Sequence, residues 1–231
     1  LTSIAVRNGI VAVSVTGPNN EQENGSLIFL NTDGVFQKQV TVGALPDMIT
    51  FTPDGNYVLT ANEGQPNDAY NNDPEGSVSL IDISGGIANL TQANVQLIDF
   101  TAYNNQEAAL IASGVRKLKA SSTLAQDFEP EYITIAPDGK TAWVTLQENN
   151  AVAVLDLESK TFTSIVPLGT KDYNSFGNGL DLSDQNPSIL IANWPLNGYF
   201  IPDAITNYTV DNTVYLVTAN EGDEKEYAGL N

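Results

Sequence analysis

The sequence predicts an all-β fold, a β-propeller of four-stranded antiparallel blades, and three observations carry that prediction. A phrase of the form Pro-Asp/Glu-x-Ile-Thr recurs along the chain and leads each time into a turn of Pro-Asp-Gly or Asp-Asn type. Short segments rich in Val, Ile, Tyr and Thr flank each turn, as strands require. The cleanest unit, Pro130 to Gly169, is about 40 residues long, which is the period of a propeller blade. A β-sandwich would use similar strands, but nothing in that architecture calls for one turn phrase at one place in every unit.

The copies align as follows. Pro46-Asp47-Met48-Ile49-Thr50 runs to Pro53-Asp54-Gly55 and returns through Tyr57-Val58-Leu59. Pro130-Glu131-Tyr132-Ile133-Thr134 runs to Pro137-Asp138-Gly139 and returns through Ala142-Trp143-Val144. Pro202-Asp203-Ala204-Ile205-Thr206 turns at Asp211-Asn212 and returns through Val214 to Val217. A weaker copy opens the chain, Ile4 to Val6, Asn8-Gly9, then Ile10 to Val15. Pro presets φ in these turns, and Gly or Asn accepts positive φ. Third and fourth strands follow: Ser26 to Leu30 with Val35 to Val42, Ser77 to Asp82, and Ala151 to Asp156 with Thr161 to Val166.

Blades are therefore expected at approximately 1–45, 46–129, 130–201 and 202–231, the last incomplete. Rings close with ~4–8 blades, so the sequence predicts a partial ring of about three and a half. Its last hairpin would pair with the remaining half of a propeller or with another copy of the chain.

Direction alternates in a four-stranded meander, so the starts of first strands, the second-to-third loops and the blade connections share one end, here named the loop face. That end is expected to carry the decoration. Turns at the other end are short (Pro-Asp-Gly, Ser84-Gly85-Gly86, Glu158-Ser159-Lys160), whereas residues 64–76, 101–129 and 170–201 are long. Connections of that length usually signal function or disorder. A short helix is expected from Gln106 to Ser113. Trp143 reads as core, and Trp194 either as a plug packing on the ring or as a platform on which a ligand stacks.

Composition excludes much chemistry. Nine Lys and Arg stand against 28 Asp and Glu, a formal charge of −19. Such a chain repels phosphate backbones, so nucleic-acid binding is excluded. With no His and no Cys, there is no Ser-His-Asp triad, no thiolate metal site and no disulfide. No run of ~18 apolar residues exists, so no transmembrane segment is expected. What remains is chemistry of carboxylates and hard, oxygen-liganded cations.

Five acids fall at the loop face. Asp47, Glu131 and Asp203 begin first strands, and Glu63 and Glu221, each in Ala-Asn-Glu-Gly, end second strands. Counting outward from the turn pairs Asp47 with Asn62 and sets Glu63 beside it. Carboxylates that close repel unless screened by water or neutralised, and calcium is the cation that such oxygens suit. These five are the candidate metal ligands. No catalytic residue set is evident.

The phrases GALPDMITFTPDG (43–55), YVLTANEG (57–64), DPEGSVSLIDIS (73–84), AQDFEPEYITIAPDGKTAWVTLQENNAVAVLDL (125–157), GNGLDLSD (177–184) and YLVTANEGDEKEY (215–227) together resemble the choice-of-anchor I family. The resemblance implies a bacterial secreted or cell-surface propeller, similar to mesenchyme-specific cell surface glycoproteins. It implies an extracellular protein or mineral ligand as partner. The expected function is a binding or structural module. The alternative is a calcium-dependent phosphoesterase of alkaline phosphatase or phytase type, since some relatives are so labelled.

Overall fold

The computed structural model describes residues 1–183, 185, 187–222, 225 and 227–230. Asp184, at the end of the GNGLDLSD phrase, lies outside the described residues, as do Asp223, Glu224 and Glu226 of the last phrase. Among the described residues the chain forms three four-stranded antiparallel sheets in sequence order. The first comprises β1 (Ile4–Arg7), β2 (Ile10–Val15), β3 (Asn24–Asn31) and β4 (Phe36–Ala44). The second comprises β5 (Pro46–Phe51), β6 (Tyr57–Asn62), β7 (Ser77–Asp82) and β8 (Val95–Asp99), and the third β9 (Pro130–Ile135), β10 (Thr141–Leu146), β11 (Ala151–Asp156) and β12 (Thr161–Pro167). Two hairpins follow: β13 (Thr170–Asp172) with β14 (Asn197–Tyr199), and β15 (Pro202–Val210) with β16 (Thr213–Asn220).

First strands lie side by side, with β1 against β5, β5 against β9 and β9 against β15. This is radial propeller packing, and an open cavity of about 630 Å³ lies between the first strands. Blade faces bury each other because a lone four-stranded sheet cannot bury both of its own. One core joins Leu59, Val78 and Leu80 of the second blade to Ile133, Val144 and Leu155 of the third. Another joins Leu27, Phe29 and Val42 of the first blade to Ile49, Val58 and Ile81 of the second.

The structure corrects three expectations. The β7–β8 connection is longer than the Ser84-Gly85-Gly86 turn, running from Ile83 to Asn94 through two single 3-10 turns. Trp143 is half-buried, because its position on β10 alternates with the core residues Ala142 and Val144. Trp194 is held within its own insertion, where its Nε1 donates to the Leu180 carbonyl at 2.7 Å. The expected helix is present as α1 (Glu107–Ser113), preceded by a 3-10 turn over Thr101–Gln106.

The two long connections differ in character. The 101–129 connection is anchored in the core through Tyr103, Val115, Leu124 and Phe128, with α2 (Leu124–Asp127) near its end. The 170–201 connection exposes Phe176, Ile189 and Ile191 and is anchored at its end by Ile201, buried at 3% exposure and donating to Asn150 Oδ1 at 3.1 Å.

Candidate carboxylate site on the loop face

Each first strand of the Pro-Asp/Glu type begins with the same irregularity. Pro46 pairs with Asn62 and Met48 with Ala61, so Asp47 has no partner across the ladder. Pro202 and Ala204 pair with Asn220 and Ala219 and leave Asp203 unpaired in the same way. In β9, Pro130 pairs with Leu146 and Ile133 with Val144, placing Glu131 and Tyr132 opposite Thr145. A bulge of this kind adds one residue to one strand and re-aims its side chain. The expected pairing of Asp47 with Asn62 is therefore off by one, because uniform counting from the turn cannot see the bulge.

The bulge turns Asp47 and Glu131 toward Glu63, whose backbone follows directly from β6. One carboxylate oxygen of each of these three residues lies within 4.8 Å of the others. A polar network beneath holds Glu63 in place: Asn62 accepts from Thr60 Oγ1 at 2.8 Å and donates to Ser77 and Ser79 at 3.2 and 2.9 Å. All four of those side chains are buried. Gly43 makes the network fit, since a Cβ there would stand 2.7 Å from Ser77 Oγ and 2.8 Å from Asn62.

Other acids crowd this trio. Burial comes first in pushing Glu63 up to about 10, followed by Glu131, Asp47, Glu129 and Glu148. Burial likewise pushes Glu131 up to about 9, reinforced by Glu148, Asp47, Glu129 and Asp203. Asp47 is raised by burial and then by Asp203. Each of these carboxylates ionises at a cost that an oxygen-seeking cation would remove.

Asp203 and Glu221 fall outside the trio. Asp203 is raised by burial and by Glu221, so it borders the same field. Glu221 is exposed and accepts from Gln147 Nε2 at 3.0 Å. Gln147 is the third blade's equivalent of Glu63 and Glu221, an amide where the other two blades carry an acid.

Three participants were missed by the sequence reading: Glu129, Glu148 and Lys225. Glu129 occupies the pre-proline position filled by Leu45 and Ile201 in the sibling repeats, and that exchange of apolar for acidic was the available signal. Glu129 is 1% exposed and pairs with the buried Lys225. Burial pushes Glu129 up to about 8 against the pull of Lys225. Asp127 has a structural task, accepting from the Leu118 and Lys119 backbone and from Asn149 Nδ2 at 2.8 Å.

The donor set fits a hard cation. Calcium binds carboxylate and carbonyl oxygens at about 2.3–2.6 Å, so oxygens on opposite sides of one ion stand ~5 Å apart. Separations within 4.8 Å are bridgeable by one ion. Soft or nitrogen-preferring metals find no thiolate or imidazole in this sequence.

Solved structures with a similar course include hydrazine synthase of Kuenenia stuttgartiensis, 12% identical over 91% of this chain and 56% of that one, with a TM-score of 0.44. The β-propeller domain of Myceliophteria thermophila Cps50 (Swd1) is 7% identical over 95% of this chain and 54% of that one, with a TM-score of 0.47. The chain spans about half the length of each. No match was found among curated proteins. Among the described residues no helix is long and apolar enough to cross a membrane. The choice-of-anchor I domain family matches residues 1–231 in full, and the chain belongs to that family.

Proposed function

We propose that this domain is a secreted or cell-surface binding and structural module that holds a calcium ion on its loop face. Asp47, Glu63 and Glu131 supply the first ligands, and Asp203 and Glu221 add negative field beside them. The observation that carries this reading is the approach of three carboxylates to within 4.8 Å, with further acids acting on Glu63. The bulges support it as well, since strand irregularities that re-aim side chains concentrate next to functional sites. The ion would fasten the first strands of adjacent blades to one another and leave the loop face able to reach an extracellular protein or a mineral surface.

The test is thermal melting in millimolar calcium, in chelator, and in NaCl of matched ionic strength. A ligand at a hundredfold excess over Kd stabilises by about 2.7 kcal/mol, which for a domain of this size is a Tm rise of roughly 5–10 °C. Screening alone would act equally in sodium. Equal melting in all three solutions would overturn the reading.

We also propose that the β15–β16 hairpin is covered by further blades of a propeller or by another copy of the chain. Its support is the exposure of both faces of this hairpin, Tyr208 and Tyr215 stacked on one and Val214 and Leu216 on the other, on a sheet of two strands where its siblings have four. Sedimentation at increasing concentration reads self-association directly, and a purely monomeric chain would exclude the second copy.

A further inference from the structure

Arg7 ends β1 and lines the open cavity between the first strands, where it is the single charged residue among the described ones. Its guanidinium donates to the Pro53 carbonyl in the β5–β6 turn, and its Nε is buried without an acceptor. Ion pairs among the described residues join Lys117 to Glu107 and Lys225 to Glu129, and none engages Arg7. An arginine carries five N–H donors in a planar fork, so one bond to a carbonyl leaves most of them free. In a chain with 28 acids against nine bases, a guanidinium without a carboxylate is an exception that its position explains.

That position is the end of the short turns, opposite the loop face. Asp47, Glu131 and Asp203 begin the same first strands whose later residues line the cavity. From Asp47 to Phe51 an extended strand advances about 13 Å, which sets the acids at one end of the ring axis and Arg7 at the other.

The wall between them is mostly apolar. Met48, Phe51, Tyr132 and Val217 supply its hydrophobic part. Thr50, Thr134 and Thr206, the last residue of the repeat phrase in three successive copies, add hydroxyls. The Thr134 hydroxyl is taken by Asn207 Nδ2 at 2.7 Å. A volume of about 630 Å³ falls within the range of small-molecule sites, which are largely apolar with a few placed polar groups.

We propose that this cavity binds a small organic monoanion, a carboxylate on an apolar or aromatic body. The carboxylate meets the Arg7 fork, whose planar geometry suits it, and the body lies against Met48, Phe51 and Tyr132. The acids of the loop face repel an anion, so the ligand enters from the end of the short turns. The same field, in a chain of charge −19, disfavours a doubly charged ligand.

The experiment is calorimetric titration of the full chain with hydrocinnamate, and with hydrocinnamamide as its uncharged counterpart of equal size. Hydrocinnamate is expected to bind about tenfold or more tightly than the amide, as a hydrogen bond to a charged group provides. Arg7→Met is expected to bring the carboxylate down to the affinity of the amide. Thr50→Phe keeps Arg7 and its bond to the turn but fills the cavity, and is expected to weaken both ligands. Adhesion of the aromatic body to the exposed β15–β16 hairpin would survive both substitutions. No binding of hydrocinnamate, equal affinity for acid and amide, or unchanged affinity in Arg7→Met would each overturn the proposal. Should Arg7→Met fail to fold, Thr50→Phe decides alone, and undiminished binding there would overturn it equally.

Discussion

The backbone N–H of Glu63 donates to the carbonyl of Leu45 at 3.0 Å, and the N–H of Glu221 donates to the carbonyl of Ile201 at the same distance. Leu45 and Ile201 both adopt positive φ, 47° and 51°, although neither is a glycine and Ile201 is β-branched. Each stands immediately before the proline of its repeat. Such a conformation costs about 1–3 kcal/mol and persists only where the surroundings impose it. Here burial of both side chains imposes it, at 6% and 3% exposure. The strained carbonyl fixes the backbone of the acid that ends the second strand. The third blade has Glu129 at this place and does not use the device.

Glu63→Gln should separate the two roles of that carboxyl. With its pKa pushed from 4.5 to about 10, holding Glu63 protonated at pH 7 costs up to about 3 kcal/mol. The variant removes that cost, so in chelator at pH 7 its denaturation midpoint is expected to rise. In calcium the order should invert, because the variant has lost a ligand. Denaturant titration in the two solutions reads both, and identical calcium stabilisation in variant and wild type would remove Glu63 from the site.

The pH dependence of the chelated protein follows the same sign. A carboxyl whose folded pKa lies above its unfolded value favours the fold below the unfolded pKa, and that contribution is lost as pH rises through the folded pKa. For Glu63, Glu131 and Glu129 the window opens near 4.5 and closes near about 10, about 9 and about 8. Stability in chelator should therefore fall from pH 5 to pH 8. Calcium should flatten the slope by holding all the carboxylates ionised. A chelated protein that becomes more stable over this range would contradict the electrostatic account.

Gly43→Ala tests the support beneath the site. The new methyl would meet Ser77 and Asn62 inside ordinary contact distance, and overpacking of this kind typically costs about 1–3 kcal/mol. Because Asn62 precedes Glu63 directly, calcium affinity should drop along with stability. Loss of stability with unchanged affinity would show that the network does not position Glu63.

Phosphatase turnover with p-nitrophenyl phosphate and calcium is expected to stay at background. Metal-assisted hydrolysis needs an activated water and groups that stabilise the transferring phosphoryl, and of the cations at this end Lys225 is engaged with Glu129, Lys117 with Glu107 and Lys119 with the Gly229 carbonyl. Robust turnover abolished by Glu63→Gln or Glu131→Gln would reverse the assignment in favour of a phosphoesterase.

Strand order, blade period and the crowding of acids at one end were legible in the sequence, because they are properties of local chemistry. Pro-Asp-Gly turns, period-two strands and the Pro-Asp/Glu phrase each act within a few residues, and meander topology converts them into a face. The residues that meet at the site were only partly legible. Asp47, Glu63 and Glu131 could be nominated, but the bulges beside Asp47 and Glu131 break the regular pairing that pattern counting assumes. The pairing of Glu221 with Gln147, and of Lys225 with Glu129 across 96 positions, depends on which blades lie side by side. Contacts so distant along the chain leave no periodic trace, so only the tertiary structure decided which acids remain without a cation and which already hold one.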